Sequence, residues 1–313
     1  MKVNDNILPA PLTGIIVPMV TPLKDRETID GPGLESLIEH ILNGGVQGLF
    51  ILGTTGEGPS LSSQLQYDLI ERVCTQVAGR VPVLVSITNT SFVESVNICN
   101  RAQAAGVKAV VLAPPFYFSS EQSELLEYLE NLMPEISLPL FLYNLNARTL
   151  FEPKTVLAAA SIKGIVGLKD SSGSMLYLHQ VQMLFKDKPD FSLLVGAEEL
   201  LGEAVLLGAH GGVCGGANLD PHLYVQLYNA AASKDIATVT ALHDRVMKIS
   251  MAIYHVNGYS SSYLKGLKCA LSCMGLCSDF VSAPFQRFGN KERDLIRKHV
   301  QALGLTPITA KNV

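Results

Sequence analysis

The stretch Gly164-Ile165-Val166-Gly167-Leu168-Lys169-Asp170-Ser171-Ser172-Gly173 carries one lysine at the end of a short apolar run. β-Branched residues and leucine in close succession, closed by serine and glycine, predict a buried strand that delivers the Lys169 amine into apolar surroundings. Burial disfavours the charged form of an amine, and a neutral amine attacks a carbonyl to form a Schiff base. The alternative is a solvated lysine at a loop start, where most lysines sit. Other positions offer complementary chemistry. Thr54 and Thr55 lie in the loop Gly53-Thr54-Thr55-Gly56-Glu57-Gly58, whose backbone amides and hydroxyls suit a carboxylate, although such threonines also cap turns. Tyr143 and Tyr117 each follow an apolar run, and each offers a phenol for proton transfer or a ring for packing.

The elements that must position these groups alternate along the chain. Strands are predicted at Gly14 to Thr21, Gly48 to Leu52, Val81 to Ser86, Ala109 to Leu112, Leu138 to Leu142, the Lys169 segment, Phe191 to Val195 and Gly211 to Cys214. Amphipathic segments lie between most of them. One spans Gly33 to Leu42, one runs through Leu65, Leu69 and Val73, and one opens at Ser91 with Glu94 three residues on, a capping-box pair. Others cover Glu121 to Met133, the stretch from about Ser174, the run through Leu200, Ala204 and Leu207, and Asp220 to Ala232. Continuous apolar strands alternating with helices indicate a parallel sheet covered on its outside, and eight units in about 220 residues fit a closed (β/α)8 TIM barrel. An open doubly wound sheet is the runner-up, but no Gly-x-Gly-x-x-Gly follows the first strand. Periodic segments at Ile236 to Val256, Ser262 to Met274 and Asn290 to Leu303 predict a C-terminal helical extension. The expected division is residues 1–232 as barrel and 233–313 as extension packed on it. In such a barrel the strands' carboxyl ends form the active-site rim, and Thr54, Thr55, Tyr117, Tyr143 and Lys169 all fall there.

Composition removes several function classes. The chain has 313 residues, 48% of them hydrophobic, and a net charge of -4 with no basic run, so neither nucleic acid nor an anionic membrane is an expected partner. No apolar run reaches the roughly 18 residues of a membrane span, and Met1 to Leu12 lacks the charged start and apolar centre of a signal peptide, so a cytoplasmic enzyme is expected. Six scattered cysteines predict reduced thiols. Cys269, Cys273 and Cys277 share a helix face at four-residue spacing and miss the two-residue gaps of zinc or iron-sulfur ligands, so no metal or cofactor is expected. Gly196 and the glycines between 211 and 216 offer a phosphate site of the kind many barrels have, but no lysine or arginine lies in those loops.

The motifs Gly53-Thr54-Thr55-Gly56-Glu57, Tyr143-Asn144 followed by Arg148-Thr149, and Gly167-Leu168-Lys169-Asp170-Ser171 resemble those of the dihydrodipicolinate synthase and N-acetylneuraminate lyase superfamily, in order and in spacing. The resemblance implies a class I, metal-independent reaction on pyruvate or another 2-oxo acid, in a homotetramer. It implies Lys169 as the Schiff-base residue, Tyr143 as the proton shuttle, and Thr54 and Thr55 as the grip on the substrate carboxylate. Tyr117 would enter the neighbouring subunit's site, and Arg148 would meet the carboxylate of an acceptor. Two positions depart from the pattern: Asn146 stands where Tyr-Asn-x-Pro has its proline, and Leu150 where a glycine is common. Glu198 and Glu199, after Val195-Gly196-Ala197, resemble the acidic pair with which the sialic-acid lyase branch grips sugar hydroxyls, or they merely begin the next helix. Gly196, Glu199 and Val213 complete the expected substrate contacts. The expected reaction makes or breaks a C–C bond between pyruvate and an aldehyde, with a lean to cleaving a hydroxylated 2-oxo acid. The alternatives are condensation of pyruvate with aspartate semialdehyde, dehydration of a 2-keto-3-deoxy sugar acid, and a non-catalytic 2-oxo-acid-binding barrel.

Overall fold

Eight strand–helix units alternate in a computed structural model that describes residues 8–145 and 149–307. In chain order they are β1 (Gly14–Pro18), α1 (Gly31–Asn43), β2 (Gly48–Ile51), α2 (Ser63–Val77), β3 (Val83–Ser86), α3 (Phe92–Ala104), β4 (Ala109–Leu112) and α4 (Gln122–Leu132). The second half comprises β5 (Leu140–Leu145), α5 (Pro153–Ala159), β6 (Ile165–Ser171), α6 (Met175–Leu184), β7 (Ser192–Val195), α7 (Leu201–Leu206), β8 (Gly211–Val213) and α8 (Pro221–Ala232). Every neighbouring pair is parallel, and β8 pairs with β1, so the sheet closes into the expected (β/α)8 TIM barrel. Helix starts follow local chemistry. Ser62, Ser91, Ser174 and Asp220 each accept a bond from the backbone N–H three residues on, a cap that stabilises by about 1 kcal/mol. The reciprocal capping box occurs at Glu121 and Glu124, where α4 begins.

Strand alternation separates two apolar layers. Leu12, Ile16, Phe50, Leu84, Val111, Phe141, Tyr143, Leu194 and Val213 fill the barrel interior. Their sequence neighbours, among them Ile15, Val17, Leu49, Ile51, Leu140, Leu142 and Leu193, face the surrounding helices. Beyond the barrel come α9 (Ile236–Ile249), a five-residue π turn over Ser250–Tyr254, α10 (Ser262–Cys273) and α11 (Asn290–Ala302). The segment expected as one helix from Ile236 to Val256 is therefore two pieces, and the widened turn faces Ser250 and Tyr254 towards the acidic pair after β7. Val246, Ile249, Ile253, Leu267 and Leu271 join the same apolar layer as the barrel's outer face. Among the described residues no helix is long and apolar enough to cross a membrane.

Candidate active site

Pairing of β5 with β6 sets Tyr143 opposite Lys169 and leaves both side chains inside the barrel at the strands' carboxyl ends. Lys169 is 6% exposed, and its Nζ lies 3.8 Å from the centroid of the Tyr143 ring and 5.0 Å from that of Phe50. The two rings meet edge to face, their centroids 6.5 Å apart. The Tyr143 hydroxyl lies 3.3 Å from Thr54 Oγ1. Burial pushes the Tyr143 phenol up, but the Lys169 charge and hydrogen bonds with Thr54, Lys169 and Ser171 outweigh it and hold the phenol below its ordinary range. Among the described residues no carboxylate is ion-paired with Lys169. Gly196 allows the close packing here: a Cβ on it would collide with Ser171 Oγ and fall 3.2 Å from Lys169 Cε.

The turn bearing the two threonines is strained and held from outside. Leu52 and Glu57, which bracket it, both have φ of 59°, a left-handed conformation costing about 1–3 kcal/mol for each non-glycine residue. Thr21 Oγ1 donates to Gly56 O at 2.6 Å. The Glu57 carboxylate, 5% exposed, accepts from Lys268 Nζ at 2.5 Å and from Ser282 N at 2.6 Å. Lys268, fully buried on α10, also donates to Thr21 O at 2.8 Å. Thr55 Oγ1 lies 3.2 Å from the hydroxyl of Tyr263, another α10 residue.

The acidic pair after β7 opens a short 3-10 turn, Glu198–Leu200. Glu198 is buried and accepts from the Tyr224 hydroxyl at 2.8 Å, the Tyr254 hydroxyl at 2.6 Å and Gly216 N at 2.7 Å. Burial, with the nearby Glu199 charge, pushes its carboxyl up to about 6 against those bonds. Glu199 accepts from Ser250 Oγ at 2.6 Å. The glycines after β8 belong to the same arrangement: a Cβ on Gly215 would collide with the Tyr263 hydroxyl, and one on Gly216 with that of Tyr224. Tyrosine hydroxyls and a carboxylate thus occupy the loop that composition offered to a phosphate.

A cavity of about 340 Å³ opens on the Tyr143 and Thr54 side of this cluster, its wall carrying the hydroxyls of Ser86, Thr88 and Thr149 and the rings of Phe116, Phe118 and Phe285. Lys169 lies behind the Tyr143 ring that forms part of that wall. The structure thus brings Lys169, Tyr143, Thr54, Thr55 and Gly196 together, with Val213 in the interior layer beside Tyr143. Tyr117 stands apart, 70% exposed, its ring edge to face with Phe118 at 4.9 Å. Glu199 turns to Ser250, off the cavity wall. Arg148 and Asn146 lie outside the described residues, but Asn144 grips the far side of their loop, accepting from Phe151 N at 2.9 Å and donating to Phe151 O at 3.1 Å. Sequence reasoning passed over Tyr263, Lys268 and the part played by Glu57. The available signal was a lysine on the apolar face of α10, flanked by Leu267 and Cys269 and one turn from Leu264 and Leu271.

Comparison with known proteins places this geometry. A sequence model of the dihydrodipicolinate synthetase family matches residues 11–303. The chain belongs to the dihydrodipicolinate synthetase family. This bears out the resemblance read from the motifs, and with it the class: a Schiff-base, pyruvate-dependent lyase or synthase. The structure of a dihydrodipicolinate synthase from Bacteroides thetaiotaomicron is 52% identical, with a TM-score of 0.91 over 94% of this chain and 99% of that one. YagE, an Escherichia coli K12 prophage protein of the same family solved with pyruvate, is 28% identical with a TM-score of 0.88, covering 94% of this chain and 99% of its own. The probable 2-dehydro-3-deoxy-D-pentonate aldolase YjhH of Escherichia coli is 29% identical over 301 residues, 95% of this chain and 99% of that protein.

Proposed function

We propose that Lys169 attacks C2 of pyruvate, that the carbonyl oxygen leaves as water, and that the resulting protonated imine acts as the electron sink for C–C bond chemistry. In the cleavage direction a hydroxylated 2-oxo acid forms the corresponding imine, Tyr143 giving its phenol proton to the oxygen that leaves as water. The C4 hydroxyl of this imine then gives a proton to the Tyr143 phenolate, the C3–C4 bond breaks, an aldehyde leaves, and the electron pair moves into the imine to give an enamine. Protonation of C3 and hydrolysis then release pyruvate. The Thr54–Thr55 turn holds the 2-oxo acid's carboxylate with its amides and hydroxyls. The observation that carries this reading is the in-register contact of Lys169 with Tyr143 and the bond from Tyr143 to Thr54.

For the aldehyde half we favour a neutral, hydroxylated fragment. Ser86, Thr88 and Thr149 supply donors and acceptors suited to hydroxyl groups, and the described cavity wall carries no cation. The aldolase name of YjhH agrees with this. Support no longer comes from Glu199, whose carboxylate is engaged by Ser250. A second reading, condensation with aspartate semialdehyde, is favoured by the 52% identity to the Bacteroides dihydrodipicolinate synthase and by Arg148. We further infer a cytoplasmic homotetramer in which residues 233–313 are an extension of the barrel, and in which the exposed Tyr117 reaches a neighbouring subunit's cavity.

Borohydride reduction in the presence of pyruvate tests the core of the proposal. A single pyruvyl adduct on Lys169, absent from Lys169→Met, is expected. A label on any other lysine, or none where a control aldolase is trapped, overturns it. Cleavage of 2-dehydro-3-deoxy aldonic acids, measured beside condensation of pyruvate with aspartate semialdehyde, separates the two substrate readings.

A further inference from the structure

The turn that carries Thr54 and Thr55 closes on itself through two backbone bonds, Glu57 N to Thr54 O at 3.1 Å and Gly58 N to Gly53 O at 3.2 Å. Its two flanking residues, Leu52 and Glu57, hold left-handed conformations that neither side chain favours. Beside the bond from Thr21 Oγ1 to Gly56 O, side-chain anchors reach it from α10, more than 200 residues further along the chain: Lys268 follows Glu57 by 211 positions, and Tyr263 follows Thr55 by 208. Tyr263 reaches the hydroxyl of Thr55 at 3.2 Å, and Lys268 reaches the carboxylate of Glu57 at 2.5 Å. The same ammonium bonds Thr21 O, while the second oxygen of Glu57 takes the Ser282 amide, so the turn is bound to α10 and to the chain beyond it. A buried ammonium and a buried carboxylate in such surroundings tolerate one arrangement, because moving either leaves a charge without its partner. Gly215 supplies the space into which the Tyr263 hydroxyl projects.

We propose that Lys268 and Tyr263 are positioning residues for the 2-oxo acid's carboxylate, making α10 of the C-terminal extension part of the substrate site without touching substrate. Lys268 acts through Glu57 on the turn's backbone amides, and Tyr263 acts through Thr55 on its hydroxyl. This rests on the reading that the Thr54–Thr55 turn holds the carboxylate. Loss of either contact weakens capture of any 2-oxo acid alike, whatever the aldehyde, and leaves the amine of Lys169 and the phenol of Tyr143 in place.

The test is the pyruvate dependence of borohydride trapping on Lys169, in full-length protein, alongside steady-state KM and kcat. Tyr263→Phe and Lys268→Met are each expected to raise half-saturating pyruvate about tenfold or more while the maximal trapping rate stays within about threefold, since a hydrogen bond is worth about one decade of affinity. Lys268→Arg should recover part of the loss. The pair Glu57→Gln with Lys268→Met should fold more stably than Lys268→Met alone, because no unpaired carboxylate stays buried. If Lys268→Met does not fold, Tyr263→Phe, which removes one hydroxyl oxygen, decides the matter. Thr55→Val is the control. If it raises half-saturation and neither folded α10 variant does, the positioning role is overturned while the carboxylate assignment stands. If Thr55→Val and Thr54→Val are silent as well, the carboxylate assignment fails and the positioning role falls with it.

Discussion

Tyr143 and Lys169 are register partners on adjacent parallel strands, and the lysine Nζ rests 3.8 Å from the centroid of the tyrosine ring. Partners in a parallel sheet project to the same face, so strand pairing and not loop placement brings the amine and the phenol together. A cation over an aromatic face contributes about 0.5–2 kcal/mol, and phenylalanine retains that contact. Tyr143→Phe therefore separates ring from hydroxyl. Turnover should fall about 10²- to 10⁴-fold, as for a lost proton-transfer group, with the melting temperature unchanged within a few degrees. Near-normal turnover would move the proton relay to another group.

Tyr117 presents most of its ring to solvent, together with Phe118, on the loop between β4 and α4. A pair of exposed rings beside a cavity mouth is an unusual expense for a lone subunit. If a neighbour covers them, Tyr117→Phe and Lys169→Met subunits, unfolded and refolded together, should form hybrids in which some sites hold both native residues. Recovery of a measurable share of wild-type activity is expected. Equal activity before and after verified subunit exchange would place Tyr117 outside its neighbour's site.

The barrel was legible because a strand buried on both faces is a continuous apolar run, and eight such runs allow few other closures. The same regularity put Lys169, Tyr143 and the two threonines on one rim. Helix α5 was passed over because Pro153–Ala159 is too short to display a helical period. Lys268 stood out only as a lysine on an apolar helix face, and the roles of Tyr263 and Lys268 were hidden for another reason. Their partners lie far away in the chain, and no local pattern reports a contact that only the packing of α10 creates. Glu198 read as a sugar contact or a helix start; it does open the 3-10 turn ahead of α7, but its bonds to Tyr224 and Tyr254 were not legible, the second because it comes through a π turn that periodicity draws as continuous helix.

His40 lies on α1, 1% exposed, and burial holds its imidazole down at about 4. The unfolded chain takes up a proton near the ordinary value of 6.5, so between about 4 and 6.5 the unfolded state binds more protons and stability rises with pH. Glu198, raised to about 6 from 4.5, opposes this over a narrower window, since there the folded state binds more. Unfolding free energy measured in urea should climb from pH 4 to pH 6.5 in the wild type and more gently in His40→Gln. Parallel pH profiles for the two proteins would show that the histidine is not a source of the slope.

Asn144 is fully buried at the end of β5, and both ends of its amide bond the backbone of Phe151. That clamp closes the loop carrying Arg148, whose pattern is altered at Asn146 and Leu150. The Phe151 carbonyl has a second donor in the Tyr177 hydroxyl at 2.7 Å, so Asn144→Ala strands the amide and not the carbonyl. One lost bond and one buried unsatisfied N–H should cost about 2–3 kcal/mol in unfolding free energy. The functional effect is expected at the aldehyde, not at pyruvate: borohydride trapping on Lys169 keeps its half-saturation, while KM for the aldehyde rises severalfold. A larger effect on pyruvate trapping than on the aldehyde would mean that the 145–151 segment bears on the imine itself and that the aldehyde half is recognised elsewhere on the cavity wall.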